Sequence, residues 1–357
     1  MDKVAIENWL AVYNIEDYII NEDLSVDVEG SVDLSHQDLS ELPLRFKNIG
    51  KDFNCSGNKL TSLLGSPSSV GGSFFCHVNN LSTLEYCPTT VGGSFNCGRN
   101  QLTSLLGCPI EVGSSFNCDN NKLSSLVGIP LIIRGGFYCN DNMLSSLEGS
   151  PVEVGSDFYC QKNNLLSLLG CPVEIGGNFV CSNNKISLLE GIPTKVGGDL
   201  YCNHNRLSTL LGCSGVVIGN FLCGNNDLTT LEFCPNEVGG DFMCSNNKLE
   251  LLEFCPKEIY GDFYCGNNAL TTLEFCPKEI HGDFLCSSNG LTTLEICPIK
   301  VVGDFYCANN NLSESELFLY DYSHEQIRQY YVGKNLNEKL QLSLGEMDNI
   351  IVSRKKI

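Results

Sequence analysis

The chain has 357 residues and a formal net charge of −20, with 42 aspartates and glutamates against 22 lysines and arginines. This charge disfavours nucleic acids and anionic membrane surfaces as partners, because binding to phosphate is driven by lysine and arginine. No apolar run approaches the length of a membrane-spanning helix, and the first residues lack the pattern of a secretion signal. We therefore expect a cytoplasmic protein.

The first residues, 1–31, predict an N-terminal cap. Residues 3–13 have the apolar spacing of a short amphipathic helix, with Ile6, Trp9 and Leu10 on the inner face. The alternating segments LSVDV and SVDLS follow, separated by a turn at Glu29 and Gly30. We expect this helix and these strands to cover one end of the repeat array that follows.

Residues 32–312 contain a 21-residue repeat that never slips in register. One large apolar residue marks each of the thirteen regular copies: Phe53, Phe74, Phe95, Phe116, Phe137, Phe158, Phe179, Leu200, Phe221, Phe242, Phe263, Phe284 and Phe305. A degenerate first copy contains Val32, Leu34, Leu39 and Leu42. Each unit is too short to bury its own apolar face, so the units must stack. The sequence predicts one elongated repeat solenoid, mainly β.

Each repeat alternates around the segment Phe-x-Cys, which predicts a short strand with Phe and Cys inward and the middle residue outward. Thirteen such strands at about 4.8 Å spacing make a parallel sheet of roughly 60 Å. The return segment, for example TTLEFCPKEIHG, contains proline and glycine and is too short for a regular helix. We expect it to be extended or turn-like.

All 21 cysteines lie at two positions of the repeat. At the second position the substitutes are Ser66, Ile129, Ser150 and Ile192, a mixture that no set of metal ligands would tolerate. The alternating spacings of 11 and 10 residues also differ from the short ligand pairs of zinc sites. We predict that the cysteines are small buried core residues, and that the chain holds neither a metal nor a cofactor.

Asparagine occupies one position in all thirteen regular repeats. The set is Asn58, Asn79, Asn100, Asn121, Asn142, Asn163, Asn184, Asn205, Asn226, Asn247, Asn268, Asn289 and Asn310. A stacked polar side chain of this kind predicts a structural ladder, in which each amide hydrogen-bonds backbone groups where the chain leaves the strand.

The segment F-x-C-x-x-N-x-L-x-x-L resembles the strand-and-turn core of leucine-rich repeat proteins, L-x-L-x-x-N-x-L-x-x-L, with Phe and Cys in the first two leucine positions. The 21-residue period is similar to the short repeats of secreted bacterial effectors, and the Gly, Asn and Cys content resembles leucine-rich repeat proteins of large tailed bacteriophages. The resemblance implies a parallel sheet on a concave face, a non-helical convex side and a phage or viral origin. For a protein of viral origin, the expected location is the cytoplasm of the host cell.

The outward residue between Phe and Cys gives the first candidate site. The residues predicted to contact a partner are Phe75, Tyr138, Tyr159, Tyr201, Leu222, Met243, Tyr264, Leu285 and Tyr306. From Tyr138 onward every residue in this column, Val180 included, is aromatic or aliphatic, and we call Tyr138 to Tyr306 the concave strip. An exposed apolar strip favours a protein interface with tyrosine anchors. The alternative is that strand propensity alone selects these residues.

A row of aspartates precedes the strands. Asp241, Asp262, Asp283 and Asp304 are consecutive in the repeat order, after Asp157 and Asp199, and we call these four residues the acidic rail. The carboxylates either accept hydrogen bonds from turn N–H groups or face a basic partner. Calcium is a weaker alternative, because one row of monodentate ligands lacks the oxygens that this ion needs.

The late repeats carry bulky residues where the early ones have glycines such as Gly65 and Gly107. This return-side patch consists of Phe233, Phe254, Phe275, Ile296 and Tyr260. The residues either fill a local groove against each other or form a second contact surface, for example for self-association through the C-terminal half.

Residues 313–357 predict a C-terminal cap. Ser313 to Glu316 and Ser323 to Gln326 fit the capping-box pattern and place two short helices over the last repeat. From Asn335 onward we expect a strand or loop with a basic end, SRKKI.

The leading hypothesis is a non-catalytic scaffold that binds a host or viral protein through its concave face and inhibits or redirects it. No nucleotide-binding, metalloprotease or serine-hydrolase motif is present, which argues against an enzyme. One alternative is a self-associating structural or assembly protein. Another is an acidic decoy of nucleic acid.

Overall fold

The computed structural model describes residues 1–213 and 216–354, with side chains as far as residue 341. Helix α1 (Lys3–Val12) and strands β1 (Tyr18–Ile20) and β2 (Val26–Val28) precede the repeats. The strands of the array are β3 (Val32–Asp33), β4 (Phe46–Ile49), β5 (Phe53–Asn54), β6 (Ser69–Val70), β7 (Phe74–Phe75), β8 (Thr90–Val91), β9 (Phe95–Asn96), β10 (Glu111–Val112), β11 (Phe116–Asn117), β12 (Ile132–Ile133), β13 (Phe137–Tyr138), β14 (Glu153–Val154), β15 (Phe158–Tyr159), β16 (Glu174–Ile175), β17 (Phe179–Val180), β18 (Lys195–Val196), β19 (Leu200–Tyr201), β20 (Val216–Val217), β21 (Phe221–Leu222), β22 (Glu237–Val238), β23 (Phe242–Met243), β24 (Glu258–Ile259), β25 (Phe263–Tyr264), β26 (Glu279–Ile280), β27 (Phe284–Leu285), β28 (Lys300–Val301) and β29 (Phe305–Tyr306). A 3₁₀ helix (Glu314–Asp321) and helix α2 (His324–Arg354) follow.

The strands form parallel sheets on two sides of the solenoid. The odd-numbered strands from β3 to β29 make one 14-stranded sheet, the concave sheet. The even-numbered strands form two return-side sheets, one of six strands that includes β1 and one of nine strands from β12 to β28. The predicted fold class is confirmed, and the extended return segments turn out to pair into sheets of their own.

The core lies between these sheets. Phe263 and Phe284 are fully buried, and their rings stack with centroids 5.3 Å apart at an interplanar angle of 11°. Such contacts continue along the array except around Leu200, which replaces one ring. Cys265 is fully buried, and all 21 cysteines are free thiols. Fifteen of them are buried, as predicted, and the other six, all at the second cysteine position of the repeat, are partly buried against the core. Burial raises the pKa of these thiols, for example to about 12 for Cys55, so they remain protonated at neutral pH.

The asparagine ladder is confirmed. The Asn268 side-chain amide donates hydrogen bonds to the carbonyls of Cys244 and Cys265, at 3.1 and 3.0 Å, while its oxygen accepts one from the N–H of Leu249 at 3.1 Å. One side chain therefore joins two consecutive repeats through groups that would otherwise be buried without partners.

The N-terminal cap contains the predicted helix, with Ile6 and Leu10 buried and Trp9 partly buried against the core. The two predicted strands, however, lie in different sheets. β2 pairs in antiparallel fashion with β1, which the sequence pattern did not predict, whereas β3 begins the concave sheet. The chain crosses from one side of the solenoid to the other between them.

The C-terminal cap is helical, as predicted, but the prediction of two short helices and of a strand or loop from Asn335 was wrong. The first segment is a 3₁₀ helix, and α2 runs for 31 residues through Asn335. The reason is local, since the sequence after Val332 contains no proline and has leucines at helical spacing. The capping box at Ser323 is present: its N–H donates to Gln326 Oε1 at 2.8 Å. The basic end falls partly outside the described residues.

Within the described part of the chain, no helix combines the length and apolar character required to cross a membrane.

Candidate protein-binding surface

The concave strip follows the register of the sheet, because each outward residue pairs with its equivalent in the next repeat. Tyr264, for example, lies between Met243 and Leu285 on the neighbouring strands. Its residues are half-buried by one another, apart from Tyr306, which is 47% exposed at the end, and Val180, which is buried between larger neighbours. The strip is thus a packed apolar surface that remains partly exposed to solvent.

Three strip tyrosines are held by aspartates two residues earlier in the chain. Tyr201, Tyr264 and Tyr306 donate hydrogen bonds to Asp199, Asp262 and Asp304, at 2.9, 2.7 and 2.9 Å. The bond to the Asp262 carboxylate is the main reason that the pKa of Tyr264 rises to about 12. These bonds hold the three tyrosine rings in place.

Three of the rail carboxylates use one oxygen to hold the next repeat. The Oδ1 atoms of Asp241, Asp262 and Asp283 accept hydrogen bonds from the backbone N–H of the aspartate in the following repeat, at 2.8, 2.7 and 2.8 Å. These Oδ1 atoms therefore accept hydrogen bonds from backbone N–H groups, which is one of the two roles that the sequence suggested for the carboxylates. Asp241 and Asp283 stand beside Met243 and Leu285, which cannot donate to the second oxygen as a tyrosine does.

The first repeats present a different concave surface. The outward Asn54, Asn96 and Asn117 use their side-chain oxygens locally, each accepting the backbone N–H two residues later at 3.0, 3.0 and 2.8 Å. Phe75 is separated from the strip by these polar residues, and its ring meets His77 edge-on at 6.1 Å. The structure therefore brings the strip residues together from Tyr138 onward and leaves Phe75 apart.

The return-side patch lies on the other side of the solenoid. Phe233, Phe254 and Phe275 are 45%, 55% and 51% exposed, and Ile296 and Tyr260 are each 55% exposed. The Tyr260 ring stacks on His281 with centroids 5.3 Å apart. The patch is exposed to solvent, so its residues do not simply fill a groove against each other.

Sequence reasoning missed the pairing of tyrosines with aspartates. The signal was present as Asp-x-Tyr, because residues two apart on a strand lie on the same face. It also missed the glutamates Glu237, Glu258 and Glu279, which occupy outward positions on β22, β24 and β26 beside the return-side patch.

Comparison with solved structures identifies the architecture. YopM, a leucine-rich effector protein from Yersinia pestis, matches with a TM-score of 0.52 over 79% of this chain and 84% of that chain, at 20% sequence identity. The chain therefore has a leucine-rich-repeat fold. YopM from Yersinia enterocolitica WA-314 matches over 80% of this chain and 88% of that chain at 16% identity, with a TM-score of 0.27. No known protein family and no curated protein matches the chain by sequence.

The leucine-rich-repeat fold makes the strip and the rail parts of one extended surface. Stacked repeats place the same side-chain position at regular spacing along a sheet, which creates the long concave surfaces that solenoid proteins use for binding.

Proposed function

We propose that the chain is a non-catalytic scaffold whose concave strip binds a protein partner. The observation that carries the proposal is the fixing of Tyr201, Tyr264 and Tyr306 by aspartates at the edge of a packed apolar strip. A tyrosine that is already held loses little side-chain entropy on binding, and tyrosines are frequent anchors of protein interfaces.

The acidic rail defines the kind of partner. Asp241, Asp262, Asp283 and Asp304 lie along one edge of Met243, Tyr264, Leu285 and Tyr306, with the strand spacing of about 4.8 Å between repeats. An apolar surface bordered by lysines or arginines complements this arrangement. The net charge of −20 favours the same basic partner and disfavours a second copy of the chain.

The proposed role is directed at a host protein. The short bacterial type of repeat and the effector named among the structural neighbours support a chain that acts in the cytoplasm of a host cell, and the resemblance to phage proteins supports a phage origin. Occupying a basic surface of the target would block the other contacts of that surface. The decoy hypothesis would require the rail alone to bind, whereas one oxygen each of Asp241, Asp262 and Asp283 holds the neighbouring repeat.

Capture from a host cell lysate tests the proposal. The triple variant Tyr159→Ser, Tyr201→Ser, Tyr264→Ser should lose a partner that the unmodified chain retains, by at least about tenfold. The matched control changes Asn54, Asn96 and Asn117 to Ser in the first repeats, where no strip exists. Retention of every partner by the folded tyrosine variant would refute the concave site.

A further inference from the structure

A turn on the return side carries exposed phenylalanines in an unfavourable backbone conformation. Phe233, Phe254 and Phe275 have φ angles of 68°, 66° and 67°, in the left-handed region that bulky side chains avoid. Most earlier repeats have glycine here, for example Gly107 and Gly212 with φ of 88° and 97°. The fold therefore does not need the aromatic rings, and strain retained at exposed side chains is typical of functional positions.

The three phenylalanines line a groove. A cavity of about 910 Å³ lies between Phe233, Phe254 and Tyr260. A second cavity of about 730 Å³ lies between Tyr260 and Phe275, and the two share Lys257, Glu258 and Tyr260. Together they form a groove across three repeats, which we call the return-side groove, lined by the phenylalanines and by Tyr260, whose ring stacks on His281.

The groove contains neighbouring carboxylates beside its aromatic rings. Glu258 and Glu279 are neighbours in register on β24 and β26, an arrangement that is unfavourable for like charges. Only part of this charge is offset, by the Tyr260 hydroxyl donating to Glu258 at 2.9 Å and by Lys300 at 3.8 Å from Glu279. The charged residues that line the two cavities are three glutamates, Glu237, Glu258 and Glu279, and two lysines, Lys257 and Lys278.

We propose that the return-side groove is a second docking site, which takes a short extended segment of a basic protein with arginine and apolar side chains. Arginine fits both features of the site, because its planar guanidinium stacks on aromatic rings and pairs with carboxylates. Apolar side chains fit the exposed faces of the phenylalanines. A second copy of the chain fits poorly, because two chains that each carry a net charge of −20 repel each other. The site lies on different strands from the concave strip and does not depend on the function proposed for it.

A labelled peptide of alternating arginine and leucine tests the groove, with binding followed by fluorescence anisotropy at physiological ionic strength. The variant Phe233→Gly, Phe254→Gly, Phe275→Gly should weaken binding at least about tenfold. The matched control is Tyr86→Gly, which removes an exposed aromatic residue from the same turn position, also left-handed with φ of 67°, far from the groove. It should change the affinity less than about twofold. Unchanged binding by the triple variant would show that the peptide merely follows the overall acidity of the chain, and would overturn the proposal.

Two further measurements distinguish peptide docking in the groove from misfolding of the variant and from self-association. The triple variant should unfold at the same or a higher temperature than the unmodified chain, since glycine is the residue that earlier repeats use at this turn. Sedimentation of the unmodified chain should give a mass independent of concentration; self-association that disappears in the triple variant would instead assign the groove to a second copy.

The independence of the two sites is tested with the same peptide. The concave strip also suits arginine and apolar side chains, so the comparison is repeated in the Tyr159→Ser, Tyr201→Ser, Tyr264→Ser background. This variant should still bind the peptide through the groove, and adding Phe233→Gly, Phe254→Gly and Phe275→Gly to it should weaken binding at least about tenfold. Loss of binding in this variant would contradict an independent groove.

Discussion

The early and late repeats share one core but present different surfaces. Phe95 and Phe263 are both fully buried, and the asparagine ladder continues through both regions. On the concave sheet, however, Asn96 accepts a local backbone hydrogen bond where Tyr264 presents a ring fixed by Asp262. The return-side turn likewise changes from Gly107 to Phe254.

This difference distinguishes residues that the repeats need for stacking from residues that we propose contact a partner. A position that changes freely between repeats is not needed to stack them, so folding alone does not account for the aromatic residues of the late repeats. The binding roles proposed for them account for these residues, because large, fixed aromatic groups at the surface are typical of protein interfaces. The early repeats then serve as an internal reference for every substitution made in the late ones.

The largest expected effect comes from removing a core phenylalanine in either region. Phe95→Ala and Phe263→Ala should each lower the free energy of unfolding by about 3–5 kcal/mol, because each removes a fully buried ring from a continuous stack. Chemical denaturation measures both variants, with the exposed substitution Thr229→Ala as a control. Markedly different losses in the free energy of unfolding for the two variants would mean that the cores of the early and late repeats are not equivalent.

A smaller effect is expected from exchanging the turn residues. Gly107→Phe should destabilise the chain by at least about 1 kcal/mol, because its left-handed φ of 88° is unfavourable for phenylalanine and a Cβ atom would lie 3.0 Å from the carbonyl oxygen of Leu84. Phe254→Gly should change stability by less than about 1 kcal/mol, since relief of strain offsets the flexibility of glycine in the unfolded chain. Thermal unfolding of the two variants checks this comparison. If Gly107→Phe left the stability unchanged, phenylalanine would not be strained at this turn.

The smallest effect concerns alkaline pH. Tyr264 has a pKa of about 12 in the folded chain, above its ordinary value of 10, so the folded state favours the neutral phenol. Its contribution to stability is complete below about pH 10 and is lost as the pH rises towards 12. In NMR titrations of labelled tyrosine, Asp262→Asn should lower the pKa of Tyr264, whereas Asp157→Asn should leave it unchanged. An unchanged pKa in Asp262→Asn would show that the hydrogen bond does not hold the ring.

Most of the architecture could be predicted from the sequence, because a fixed period specifies both the stacking and the inward positions. Phe263, Cys265 and Asn268 have the positions and roles that their repetition indicates. The caps are less predictable, since they occur once and no repeat indicates β1 or the length of α2.

The surfaces could be predicted only in part. The spacing indicates which side chains point outward, but the burial of Val180 and the bond from Tyr264 to Asp262 depend on the sizes and conformations of neighbouring side chains. The left-handed turn at Phe254 could not be read from residue type, because phenylalanine rarely adopts that conformation.

Site-specific photo-crosslinking tests the central claim most directly. A benzophenone-bearing amino acid is placed at position 264 in one variant and at position 96 in another, so that equivalent concave positions of a late and an early repeat are compared. After irradiation with the protein partner recovered by capture, we expect an adduct from position 264 and none from position 96. Equal crosslinking from both positions, or crosslinking from position 96 alone, would contradict a partner site on the concave strip of the late repeats.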